Sequence, residues 1–295
     1  MSAFLGELGR RLAEKWLTAL VLPGLLFTGV AVVGGTLGHA HALDPDHLLS
    51  RAAAHSRDVR DTGGTAVLLA VLGALLAAAG AGLLAQALAV PVRALWLGRW
   101  PRPLHPLRRA LVHRRAARWQ RLQELYAEQV ERPDPDRVLI DELAARRNRI
   151  APAPPTRPTW IGDRIAATDR RVHTEYGLDL TSAWPRLWLT VPEEVRVELR
   201  AGRSALDAAV TTAGWGLLYL LLGLVWWPAA PVGAGTLVAA WRRGRTGTHE
   251  LAELAESTVD LHGARLGAAL GLCPQDAPLT RELGRRITAL LRKGS

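Results

Sequence analysis

Three long uncharged runs dominate the chain: Trp16 to Leu37, Thr65 to Val92 and Ala208 to Trp227. Each supplies the about 20 apolar residues that a helix needs to cross a hydrocarbon core, so each predicts a transmembrane helix. Before the first, Phe4, Leu5, Leu8 and Leu12 recur at helical spacing and predict an amphipathic segment over Met1 to Lys15. The run that follows is too long for a secretory signal, and no small-residue cleavage site closes it. After Trp227, Pro228 and Pro231 interrupt the pattern, and Ala229 to Trp241 offers a shorter apolar stretch before Arg242 and Arg243. Thirteen residues rise only about 20 Å, short of a core of roughly 30 Å. A fourth span must therefore include Arg242, Arg243 and Arg245 with snorkelling heads, or be re-entrant.

Between the second and third runs the pattern changes to amphipathic helices. Leu107, Leu111, Trp119, Leu122, Tyr126 and Val130 share one face of a helix that ends at Pro133-Asp-Pro135. Another helix is predicted from about Asp136 to Ile150, and Ala151 to Pro158, with four prolines in the last seven residues, is a stiff extended linker. Ile161, Ile165, Val172 and Tyr176 form one face of the next helix, which Gly177 can end. A new helix is expected to start at Pro185, because proline is tolerated in a first turn; it places Trp188 inside and leaves Trp184 available to a partner. Pro192-Glu-Glu opens the helix leading into the third run. In the tail a helix runs from Glu250 to Leu270, stopped by Gly271. Thr280 caps the last one, whose Leu283, Ile287, Leu290 and Leu291 point one way.

Charge orients this pattern. Residues 38–64 hold three arginines and four aspartates, whereas residues 93–206 hold 22 arginines against 14 acidic residues. Arg10, Arg11 and Lys15 precede the first run; Arg93, Arg99 and Arg102 follow the second. Arg196, Arg200 and Arg203 precede the third, and Arg242, Arg243 and Arg245 follow the fourth. The positive-inside rule puts all four flanks in the cytoplasm. The expected architecture is an all-α integral membrane protein of the bacterial plasma membrane with both termini cytoplasmic. Residues 1–92 hold the amphipathic segment and the first transmembrane hairpin, and 93–207 a cytoplasmic helical module. Residues 208–243 form the second hairpin and 244–295 a helical tail.

Composition narrows the chemistry. Over 295 residues, 37 basic side chains outnumber 27 acidic ones, for a net charge of +10, and only Lys15 and Lys293 are lysine. This arginine bias matches codon pressure in a high-GC bacterial genome. A single cysteine, Cys273, excludes an intramolecular disulfide framework and a thiolate-rich metal site. The basic residues Arg93, Arg99, Arg102, Arg108, Arg109, Arg114 and Arg115 are candidate contacts for anionic lipid headgroups. Nucleic acid is not an expected partner, since no pattern of stacking aromatics accompanies the basic stripe.

His39, His41, Asp44, Asp46 and His47, with His55 further on, carry ligand types suited to zinc or copper. Their spacing fixes no geometry, and a turn at Asp44-Pro45 followed by a short interfacial helix accounts for them, so no metal is expected. Asp163, Asp169, His173 and Glu175 have acid–base side chains on one short helix, but surface charges look the same. His249-Glu250 begins like a zinc-protease helix, yet position 253 is Glu. No phosphate-cradling Gly-rich loop precedes a Lys, and no Gly-x-Ser-x-Gly occurs. No catalytic residue and no cofactor are therefore expected.

The run Pro158-Thr-Trp-Ile-Gly-Asp-Arg164, the Tyr176-Gly-Leu-Asp179 element and Trp184-Pro-Arg-Leu-Trp188 resemble a family of uncharacterised bacterial multi-pass membrane proteins. The tail, with Val259-Asp-Leu-His262 and Leu270-Gly-Leu272, is similar to that family's C-terminus. The resemblance implies four spans and a long cytoplasmic loop, and it implies no activity. Trp160, Asp163, Arg164, Tyr176, Asp179, Trp184 and Arg186 are the candidate partner contacts. Two functions fit these features. One is a membrane-anchored structural or interaction protein that meets protein partners or further copies of itself. The other is an oligomeric channel or transporter, built on the Gly/Ala-rich second span.

Overall fold

The computed structural model describes residues 21–61 and 64–292. The expected amphipathic segment over Met1 to Lys15 and the start of the first apolar run lie outside them. The described residues form helices and no strands: α1 Leu22–Leu37, α2 Pro45–Asp61, α3 Gly64–Trp96, α4 His105–Val130 and α5 Arg137–Ile150. There follow α6 Trp160–Tyr176, α7 Leu180–Thr190, α8 Glu193–Leu222, α9 Ala229–Ala269 and α10 Arg281–Leu291. Two stretches, Val67–Trp96 and Glu193–Leu222, are long and apolar enough to cross a membrane, and Leu22–Leu37 is a shorter apolar helix.

The helix ends follow from local chemistry. Asp136, Thr159, Asp179 and Thr280 each cap a helix by accepting backbone N–H bonds from its first turn. Gly177 closes α6 at φ 63°, where a side chain would be strained. Two helices depart from the sequence expectation. α9 is continuous from Ala229 to Ala269, because Pro231 falls in its first turn, where no N–H is needed. The short apolar stretch and the tail helix are thus one element. α7 starts at Leu180, with Asp179 as its cap, and not at Pro185, which stands inside it.

The chain divides into two compact units. One comprises residues up to Val92 together with Ala209–Trp241. Its helices meet through small residues: a Cβ on Gly24 would overlap the Ala78 carbonyl, and one on Gly214 would overlap that of Ala85. Gly233 likewise approaches Gly216 and Leu220. The packed face of α3 is Ala78, Ala81, Ala85, Ala89 and Val92, while Leu68, Leu69, Leu72, Leu76, Leu83 and Leu84 are exposed.

The other unit comprises Arg93–Ala208 and the residues from Arg242 onward. Its core joins Val172, Leu178, Leu187 and Val191 to Val259 and Leu266 of α9 and to Leu283, Ile287 and Leu291 of α10. The tail helix is seated closely, since a Cβ on Gly284 would overlap the Tyr176 carbonyl. Ile165, expected on the buried face of α6, is 40% exposed, and Leu290 of α10 is also exposed.

Candidate functional site

The second unit is organised around α6, and the first residues of that helix hold the preceding proline linker. Thr159 Oγ1 accepts the Gly162 N–H at 3.1 Å and donates to the Trp96 carbonyl. Asp163 is 1% exposed. Its Oδ1 accepts the Thr156 and Arg157 N–H groups, each at 2.8 Å, and its Oδ2 accepts from Arg115 Nη1 at 2.6 Å. Arg115 also donates to the carbonyls of Arg157 and Ile150, so one guanidinium from α4 ties both ends of the linker to Asp163. Trp119 Nε1 holds the Ala151 carbonyl at 3.1 Å, and Trp160 Nε1 holds that of Asn148 at 3.2 Å.

One residue on, Arg164 is also 1% exposed and turns toward α9. Its Nη1 donates to Thr168 Oγ1 at 3.0 Å and to Glu256 Oε1 at 2.9 Å, and its Nη2 to Glu253. Its Nε lies 3.3 Å from His249 Nδ1. Thr168 Oγ1 donates to Glu256 at 2.6 Å, and Arg171 pairs with Glu256 at 3.0 Å. At one end of this seam the Arg245 guanidinium lies 4.5 Å from the Trp160 ring centroid. At the other, the Tyr176 hydroxyl donates to Asp260 at 2.9 Å, which raises the tyrosine pKa because the bond favours the protonated phenol. Residues 164, 168 and 171 thus face 249, 253 and 256, the same i, i+4, i+7 spacing on both helices.

A cavity of about 820 Å³ lies among α6, α7, α8 and α9. Ile165, Ala166, Trp184, Trp188, Leu251, Ala252 and Ala255 give it apolar walls. Arg99, Arg157, Arg200 and Arg203 line it with cations, against the single carboxylate of Asp169. The Trp184 and Trp188 rings are 6.4 Å apart, and the Arg200 guanidinium lies 5.6 Å from Trp188. Desolvation raises the Asp169 pKa, the Asp179 charge adds to this, and His173 opposes it. Asp179 moves the other way: burial would raise it, but bonds from Ser182, Arg292 and Thr181 hold it below the usual carboxylate range.

The sequence-derived partner contacts are therefore engaged within the chain. Asp163 and Arg164 are interior residues, a correction to their expected role at a partner surface, because both are needed to join α6 to the linker and α9. Asp179 caps α7 and pairs with Arg292 of the tail at 3.1 Å. Arg186 donates to the Ser182 carbonyl at 2.9 Å. Trp184 packs against the core cluster, and Trp188 is half-buried beneath Arg200, so the expected division between a buried Trp188 and an available Trp184 does not hold. Of the candidate lipid contacts, Arg115 is held by Asp163, and Arg93 pairs with Asp207 at 2.8 Å. Arg108 is half-buried, whereas Arg99, Arg102, Arg109 and Arg114 are exposed.

In the first unit the histidine segment forms a capped turn. Asp44 Oδ1 accepts the His47 N–H at 3.0 Å, which lowers the Asp44 pKa. His41 stacks on His47 with centroids 4.3 Å apart, and His39 Nε2 bonds the Leu224 carbonyl at 2.9 Å. The side chain of His55 lies outside the described residues. No group of three or more His, Cys, Asp or Glu among the described residues is placed to hold a metal ion.

Sequence reasoning did not identify His249, Glu253 and Glu256 as partners of Arg164, nor Arg157, Arg200 and Arg203 as lining one cavity. For the first set the matched spacing was the available signal. For the second there was none, because the four helices are brought together only by the core. No protein-family model, curated protein or solved structure matches this chain.

Proposed function

We propose that this protein is a membrane-anchored interaction protein, with the second unit as a basic helical module offered to protein partners and to anionic lipid. The observation that carries the reading is the row of leucines exposed along α3, from Leu68 to Leu84. An exposed apolar row of this length is at home in hydrocarbon and costly in water. In this reading the membrane is crossed four times, over about 16–37, 65–92, 208–227 and 229–243, with both termini in the cytoplasm of a bacterial cell. The excess of arginine in 93–206, set against the balanced 38–64 segment, supports that orientation. The resemblance of residues 158–192 to a bacterial multi-pass family is consistent with it.

The module's charged groups also support a scaffold. Asp163, Arg164 and Asp179 are all spent on joining helices to one another. The alternative reading, an oligomeric channel, draws on Gly73, Ala74 and Ala77, a small-residue face of α3 left exposed in the single chain.

Reporter fusions test the topology: one after Ser295 and one within 151–158 should read cytoplasm, and one within 44–60 the outside. A C-terminal fusion reading outside would remove the four-span arrangement. Crosslinking in native membranes followed by affinity purification should recover a defined partner if the module is a scaffold. Recovery of homo-oligomers alone, together with solute flux in vesicles, would favour the channel.

A further inference from the structure

The cavity beside α6 combines features that the scaffold reading leaves unused. Its volume of about 820 Å³ falls within the range of small-ligand sites. Four arginines line it against one carboxylate, so its charge complements an anion. Arg200 is already paired with Glu193. The side chains of Arg99, Arg157 and Arg203 make no hydrogen bond or ion pair among the described residues, so three guanidinium groups remain available to phosphate oxygens. Thr168, Thr181 and Thr248 are the other polar residues of the lining; the larger part of it, including Trp184 and Trp188, is apolar, which fits a ligand that carries hydrocarbon beside its charge.

The chain positions of these cations indicate the source of such a ligand. Arg99 follows the end of the apolar stretch Val67–Trp96 by three residues. Arg203 lies on the same helix as the uncharged run that begins at Ala208, five residues ahead of it, or about 7.5 Å of helix rise. On the membrane reading proposed above, on which this inference rests, that distance is headgroup depth. We propose that the cavity is a binding site for one anionic phospholipid, its phosphate held by Arg99, Arg157 and Arg203 and the start of its acyl chains against Trp184 and Trp188. Neutral lipid has no net charge to offer these groups, and a free phosphate has nothing for the apolar wall.

Native mass spectrometry of the full-length protein in detergent tests this, with phosphatidylglycerol, phosphatidylcholine and inorganic phosphate as three separate additions. One phosphatidylglycerol per chain should be retained, with phosphatidylcholine and phosphate lost at the same activation energy. The double variant Arg99→Gln/Arg203→Gln should lower phosphatidylglycerol affinity about thirtyfold. Arg118→Gln/Arg121→Gln, on the exposed face of α4, should leave the tightly held lipid in place. Circular dichroism and melting of both variants separate lost binding from lost folding, and Trp188→Ala provides an independent probe of the apolar wall. Equal retention of phosphatidylcholine, equal loss in both double variants, or retention of phosphate alone would each overturn the proposal. A protein that extracts without detergent would instead overturn the membrane reading itself.

Discussion

The two units solve the same problem, holding helices together, by different means. In the unit containing α1, α3 and the start of α9, backbones touch: Gly24 meets Ala78, Gly214 meets Ala85 and Gly233 meets Gly216. In the unit containing α6 and α10, a buried arginine bridges helices and an apolar core is sealed by the tail. The difference matches the solvent each composition suits. Apolar side chains gain little by leaving lipid for a helix interface, so close van der Waals packing of small residues does the work. In water, burial of Leu178, Leu187 and Ile287 supplies the driving force, and charged pairs add geometric specificity. Polar pairing and helix caps accordingly concentrate in the second unit.

The comparison can be broken most severely at Arg164. Replacing it with Ala leaves Glu256, half-buried and facing α6, with only Thr168 and the exposed Arg171 as partners, at an expected cost of about 3–5 kcal/mol. The lower end is expected, since Glu253 is 55% exposed and regains water. Lysine should not rescue it, because an ammonium cannot reproduce the fork that reaches Glu253, Glu256 and Thr168 together. Melting of the detergent-solubilised protein reads this, and a shift of less than a degree would show that the seam is dispensable.

Next in size is Gly284→Ala, whose Cβ meets a backbone carbonyl and cannot be accommodated by a rotamer change. Overpacking of this kind costs about 1–3 kcal/mol. It should expose the tail to limited proteolysis between α9 and α10 while leaving α4 and α5 resistant. Uniform resistance would mean that the tail helix is not seated as described.

In the first unit, Gly214→Ala should loosen the crossing of α3 and α8 by a comparable or smaller amount, whereas Gly73→Ala should be silent, as nothing lies within 4 Å of its added Cβ. Equal effects from the two would contradict close backbone approach as the source of cohesion.

The smallest effect is expected at Asp169. Its raised pKa means that the folded state binds the proton more tightly than the unfolded chain, so ionisation costs stability above that pKa. Asp169→Asn should therefore stabilise slightly at neutral pH, with the gain vanishing as pH falls through the ordinary carboxylate range. A gain that grows in acid would reverse the assignment.

Much of the fold was readable because its causes are local. The cap at Thr280, the helix start at Asp136 and the left-handed Gly177 act within one turn, so their residue types announce them, whereas Pro185 reads as a first-turn proline and hides the cap at Asp179. The continuity of α9 was missed because Pro231 reads as a breaker until the helix is known to start at Ala229. Ile165 followed the helical period yet stayed exposed, since one wall of the cavity needs an apolar side chain as much as the core does. The interior place of Arg164 is not legible in residues 158–192, because sequence alone does not tell a solvated arginine from one that meets its carboxylates 89 and 92 positions away.

The central claim, that the leucine row of α3 faces hydrocarbon while α4 faces water, is open to one direct measurement. Nitroxide labels at Leu72 and Leu76, and at Arg118 and Arg121, in a Cys273→Ser background can be compared in vesicles for collision with oxygen and with a water-soluble nickel chelate. The α3 labels should collide with oxygen and be shielded from nickel, and the α4 labels should show the reverse. Nickel access at Leu72 and Leu76 equal to that at Arg118 would place α3 in water and contradict the account.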